Sequence, residues 1–215
     1  MSTLEKAIQY SRNSFSNGEF IQRLGSLIEI VTDSKGSVSA EVLREYYTKG
    51  LFNIFDELGI KSKIIDNPIN DKPPFLIGTR IESPENKTIL FYGHGDTVPL
   101  QTGDWHEGIN PSELKVIGDK IYGRGVADNK GQHFINLMAL LSVLKTKKKL
   151  GFNLKLIFEM GEEIGSPGLF ELCELYKEDL KSDVLIASDG PRVSVEVPTI
   201  FLGSRGAVNF GLEVK

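Results

Sequence analysis

The chain has 215 residues, 40% of them hydrophobic and 25% charged, which excludes long disorder and a fibrous repeat. At about 150 residues per domain, this is roughly one and a half domains, enough to bury a core without staples. Twenty-five Lys and Arg against 29 Asp and Glu leave a net charge of −4, which argues against a nucleic-acid partner, because phosphate binding wants a basic face. The N-terminal MSTLEKAIQYSRNSFSNGEF has no apolar core behind a basic start and so does not read as a secretory signal. Ser16-Asn17-Gly18-Glu19 has the form of a capping box. Phe20, Ile21, Leu24, Leu27, Ile28 and Val31 then recur at helical spacing. A second helix is expected over residues 40–58, with Gly59 as its C-terminal stop. Extended segments follow at 61–65 and 75–81.

From residue 87 strands and helices alternate. TILFY (88–92), LKLIF (154–158) and VLIA (184–187) read as strands; residues 132–145 and 169–176 read as helices. That alternation implies parallel pairing in a covered sheet. The apolar stretch 137–144 is too short to span a bilayer, and Lys145, Lys147, Lys148 and Lys149 after it read as a solvated helix end. With a single cysteine, Cys173, no internal disulfide is possible, and a cytoplasmic, reducing location is expected. Cys173 itself reads as a buried small hydrophobe among Phe170, Leu172, Leu175 and Tyr176.

Ligands of such sheets sit beyond the carboxyl ends of the strands. There the sequence places Gly93-His94-Gly95-Asp96, then Tyr122-Gly123-Arg124-Gly125-Val126-Ala127-Asp128-Asn129-Lys130-Gly131, then Glu159-Met160-Gly161-Glu162-Glu163-Ile164-Gly165, then Ser188-Asp189-Gly190. Carboxylates and an imidazole converging on one edge repel unless a cation sits among them. The donor set suits zinc, with manganese or cobalt tolerated. His94 and Asp96 are two apart and share a side of an extended segment, so one imidazole nitrogen can bind metal while Asp96 holds the other. Glu162 and Glu163 point different ways, one able to bind metal and the other to act as general base. Asp128, in a Gly-rich turn, is short enough to reach inward and bridge two ions.

These four motifs, in this order, resemble the N-terminal half of the di-zinc amidohydrolase and peptidase family. Its members include cytosolic dipeptidases, carnosinases, aminoacylases, acetylornithine deacetylase, succinyl-diaminopimelate desuccinylase and carboxypeptidase G. The resemblance covers nearly the whole chain and includes Trp105 in the loop after the first motif. It implies an α/β fold, a three-layer αβα catalytic domain with a mainly parallel mixed sheet, here incomplete. It implies that His94 and Asp189 ligate one zinc, Asp128 bridges two, Glu163 ligates the second, Glu162 is the general base and Asp96 orients His94. The implied chemistry is attack on an amide carbonyl by a water bridging two Zn2+, with Mn2+ or Co2+ as substitutes, in a dipeptide or N-acyl amino acid. Neither nucleic acid nor membrane is an expected partner.

The departure from the family lies at the end. In the family a lid and dimerisation domain is inserted after a segment like Gly203-Ser204-Arg205-Gly206, and a last histidine for the second zinc follows it. Residues 1–206 thus read as the N-terminal part of the catalytic domain and 207–215 as the start of a truncated lid. Val208, Phe210, Leu212 and Val214 alternate as in a strand. The expectation is a fragment or truncated gene product of a homodimerising enzyme. The alternative is a non-catalytic remnant or binding module with at most one metal site. His106 and His133 read as structural or surface residues, Trp105 as packing and Arg124 as a turn anchor. Gly123-x-Gly125-x-x-Asp128 is no dinucleotide loop, since the aspartate would repel a pyrophosphate. No Walker lysine motif or G-x-S-x-G elbow occurs.

Overall fold

The computed structural model describes residues 1–36, 38–194, 196–203, 206 and 210–214. Helix α1 (Thr3–Ser16) opens on a capping box that lies earlier than the sequence suggests. Ser2 Oγ accepts the Glu5 N–H at 3.2 Å, and the Glu5 carboxylate accepts the Ser2 N–H at 2.6 Å. Ser16 does not cap a helix: it ends α1, and α2 (Glu19–Glu29) starts from Gly18 in the left-handed conformation. A residue still in helical geometry cannot act as the extended N-cap of the next helix. Helix α1 leaves its large apolar residues Leu4, Ile8 and Phe15 facing solvent. It buries only Ala7 and Ser14, and its Ser11 Oγ donates to Ser142 Oγ at 2.8 Å across the packing interface.

The expected helix over 40–58 is one helical run with a wider turn inside it. Helix α3 (Ala40–Glu45) passes through a π-helical turn (Tyr46–Leu51) into α4 (Phe52–Leu58). Consecutive Tyr46 and Tyr47 of that turn are both fully buried. Gly59, at φ 63°, stops the run, as a C-terminal glycine should.

Strands β1 (Lys61–Ile65), β2 (Phe75–Arg80) and β3 (Thr88–His94) follow. A small hairpin of β4 (Lys115–Ile117) and β5 (Lys120–Tyr122) leads to α5 (Lys130–Lys147), then β6 (Asn153–Glu159). Helices α6 (Leu169–Leu175) and α7 (Lys177–Leu180) precede β7 (Val184–Ala187). The main sheet has the order β1-β2-β6-β3-β7. Strands β6, β3 and β7 pair in parallel, and β1 and β2 extend the sheet antiparallel.

Alternation along the strands feeds two cores. Leu76, Leu154, Leu156 and Phe158 pack against α2–α5 and the π turn. Phe75, Ile77 and Ile157 pack against Leu172 and Leu180 on the other face, which gives three layers. Cys173 is half-buried against this second core, but its neighbours Phe170 and Leu175 face solvent. Cover also fails at β7, where Val184 is 50% and Leu185 61% exposed. The strand expected over 207–215 falls partly outside the described residues (207–209 and 215), and residues 210–214 carry no strand.

The register pairs His94 with Glu159 and Tyr92 with Ala187. The three parallel strands therefore end at one edge, and the loops after them converge there.

Candidate metal centre

His94 closes β3 and is fully buried. Its Nε2 lies 3.0 Å from Asp128 Oδ1, 3.5 Å from Asp189 Oδ2 and 3.9 Å from Glu162 Oε2. The donor atoms of His94, Asp128 and Asp189 all lie within 4.8 Å of one another. With metal–ligand bonds of about 2.0–2.2 Å, tetrahedral ligands sit about 3.3–3.6 Å apart. One nitrogen and two carboxylates at these spacings fit one zinc-sized cation. Glu163 stands outside this triplet, near enough to Asp128 to feel its charge.

Asp96 is fully buried. One of its oxygens lies 3.2 Å from His94 Nδ1. Its carboxylate also accepts the backbone N–H groups of Glu162 and Glu163, at 3.2 and 3.1 Å. One side chain thus ties the end of β3 to the 3₁₀ turn (Glu162–Ile164) after β6. The space at this corner is tight: a Cβ on Gly95 would stand 2.5 Å from the Tyr46 ring.

Burial opposes the positive charge of His94, but hydrogen bonds to Asp189 and Asp96 outweigh it and raise its pKa to about 11. The same pairing with His94 lowers the Asp189 carboxyl. Burial raises Glu162 and Glu163, and neighbouring carboxylates add to the rise. An edge so rich in acids holds a proton on its imidazole for want of a better cation.

Sequence reasoning named the six residues of this edge but not the groups behind them. Asn129, next to Asp128 through a cis peptide bond, is fully buried. Its amide reaches His94, His133, Ser188 and Asp189. Lys130 is buried, donates to the Leu27 and Ile30 carbonyls at 3.0 and 2.6 Å, and sits over the Tyr46 ring. Glu159 is buried beside the site; its Oε1 accepts from Tyr92 and Ser166, and burial raises its pKa. The only advance signal for Asn129 and Lys130 was their place in the turn that carries Asp128. His133 is structural, as read: it is buried and bonded to Tyr46. Arg124 donates to Gln101 Oε1 and stacks on Trp105, which fits the turn-anchor and packing readings.

A cavity of about 780 Å³ lies at the opposite end of the sheet, around Lys61, Arg80, Glu82 and Lys149. Its polar pair is spent on structure. Glu82 binds Arg80 at 3.0 Å and accepts the Leu150 and Gly151 N–H groups. Among the described residues no helix is long and apolar enough to cross a membrane.

The chain is 32% identical over 229 residues to the Beta-Ala-His dipeptidase of Homo sapiens, covering 99% of this chain and 43% of that protein. It is 31% identical over 216 residues to the Cys-Gly metallodipeptidase dug1 of Schizosaccharomyces pombe, covering 92% and 43%. Among solved structures, human carnosine dipeptidase 1 superposes with a TM-score of 0.75 at 30% identity, covering 90% of this chain and 42% of that one. The M20 family metallo-carboxypeptidase Sso-CP2 of Sulfolobus solfataricus gives 0.69 at 27% identity, covering 79% and 37%. The chain thus spans less than half the length of these relatives. Residues 90–204, which run from β3 past Asp189 and contain every converging carboxylate described above, match peptidase family M20/M25/M40, and the chain belongs to that family.

Proposed function

We propose that this chain carries the metal-binding part of a hydrolase that cleaves the amide bond of a small substrate, a dipeptide or an N-acyl amino acid. The observation that carries the reading is the His94–Asp128–Asp189 triplet at the strand ends, with Glu162 beside it. On this reading His94 and Asp189 hold one zinc, Asp128 bridges, Glu163 holds a second and Asp96 fixes the His94 ring. Bound there, the metals supply Lewis acidity to the amide carbonyl and lower the pKa of a water from 15.7 toward about 7. Glu162 takes the proton of the attacking water and returns it to the leaving amine. Burial raises its carboxyl above the ordinary range, the direction that favours a general base. Residues 1–206 form the N-terminal part of the catalytic domain, and 207–215 lead into a lid and dimerisation domain. The dipeptidase names of the relatives support a dipeptide over an acylated substrate.

The test is hydrolysis of dipeptides by the zinc-loaded chain beside Glu162→Gln. The expected result is turnover that falls about 10²–10⁴-fold in the variant with zinc content unchanged. Full turnover in the variant overturns the assignment of the base. A second reading rests on the triplet itself: among the described residues, three donors gather around one point. It makes the chain a single-site metal-binding module, and one zinc per chain with no turnover would select it.

A further inference from the structure

The Asn129 amide is oriented without ambiguity. Its Oδ1 lies 3.3 Å from the His94 backbone N–H, which can only donate. Its Nδ2 lies 2.5 Å from the Ser188 carbonyl, which can only accept. The oxygen and nitrogen of this amide, otherwise interchangeable, are therefore fixed at both ends. Two consequences follow. On one side Nδ2 donates to Asp189 Oδ1 at 3.2 Å. On the other, His133 Nδ1 stands 3.1 Å from Oδ1. An oxygen accepts, so Nδ1 carries the hydrogen. His133 Nε2 is then the bare nitrogen, and it lies 2.7 Å from Tyr46 Oη, which must donate to it.

We propose that Asn129 is a positioning residue in a one-way chain of hydrogen bonds, buried from Tyr46 through His133 to Asn129 and ending on the exposed Asp189, that aims the Asp189 carboxylate at the metal. The proposal rests on the reading of Asp189 as a ligand. Donation to Oδ1 occupies that oxygen and leaves Oδ2, the atom 3.5 Å from His94 Nε2, to face the cation. Partners of this kind hold a ligand's orientation, and their loss costs about 10–100-fold in metal affinity. Tyr46, His133 and Asn129 are all buried, so solvent does not compete for the links up to the Asn129 amide. The His133 ring also meets the Phe158 and Tyr46 rings edge-on, with centroids 5.0 and 6.0 Å apart.

The test uses the 215-residue chain with ¹⁵N-labelled histidine. Long-range ¹H–¹⁵N spectra at pH 8, without metal, distinguish a ring protonated on Nδ1 from one protonated on Nε2; His133→Gln identifies the signal. Zinc affinity is measured by competition with a chelator for the wild type and Asn129→Ala. The expected result is an Nδ1–H tautomer at His133, lost in Asn129→Ala, and zinc binding weakened about 10–100-fold in that variant. An Nε2–H tautomer in the wild type overturns the proposal, as does wild-type zinc affinity in a folded Asn129→Ala. If Asn129→Ala does not fold, the wild-type tautomer decides. Absence of zinc binding by the wild type would instead overturn the ligand reading of Asp189, and the two failures are told apart.

Discussion

At the scale of single residues, the centre is a set of acids kept together by one proton. Against the pull of burial, hydrogen bonds to Asp189 and Asp96 raise the pKa of His94 to about 11 and favour its charged form. The folded value lies above the ordinary 6.5, so its pairing stabilises the fold fully below about pH 6.5 and is lost as the pH climbs toward 11. Zinc needs the bare Nε2 and must expel that proton. Calorimetry at pH 7.5 in buffers of different ionisation enthalpy should show about one proton released per zinc, with apparent affinity rising about tenfold per pH unit. Heats that do not depend on the buffer would refute the protonated resting state. The sequence made His94, Asp96, Glu162, Glu163 and Asp189 legible because charged side chains at the ends of apolar strands contradict the pattern around them, and Asp128 because it stands in a Gly-rich turn that opens a helix. Asn129 contradicted nothing: a neutral amide in a polar turn looks like turn chemistry until its partners are seen.

At the scale of elements, the strands of the main sheet were legible as short apolar runs and α5 by its helical period, while the hairpin of β4 and β5 was not. Helix α1 was not, since it packs through Ala7, Ser14 and a serine pair rather than a stripe. The π turn at Tyr46–Leu51 was equally hidden, because periodicity marks a helix and not a local change in its pitch. Lys130 shows how the elements are joined. From the start of α5 it donates to carbonyls at the end of α2, where four carbonyls lack helical partners. Burial lowers its pKa to about 7, against the opposing pull of Asp96. Lys130→Met keeps much of the volume but strands two buried carbonyls. It should lower unfolding free energy by about 1–3 kcal/mol, read from denaturant midpoints. A midpoint at the wild-type value would mean that the joint is carried by apolar packing alone.

At the scale of the whole molecule, the two edges of the sheet differ. Strand β1 presents Lys61 and Lys63 to solvent, the usual guard against further pairing. Strand β7 presents Val184 and Leu185 and carries no charge. The expectation of a covered sheet fails there, because cover is a property of the assembled molecule and a strand's sequence does not reveal who supplies it. Association through β7 is the expected behaviour of the chain alone. Light scattering should show mass rising with concentration, and Leu185→Lys should suppress the rise; a monomer at all concentrations would count against it. The open edge also turns stability into a matter of mass action. If only the folded chain pairs through β7, each tenfold increase in protein adds up to about 1.4 kcal/mol per mole of associating sites to the apparent unfolding free energy. Melting temperatures taken at two protein concentrations would then disagree, and their difference would measure what β7 gains from being covered.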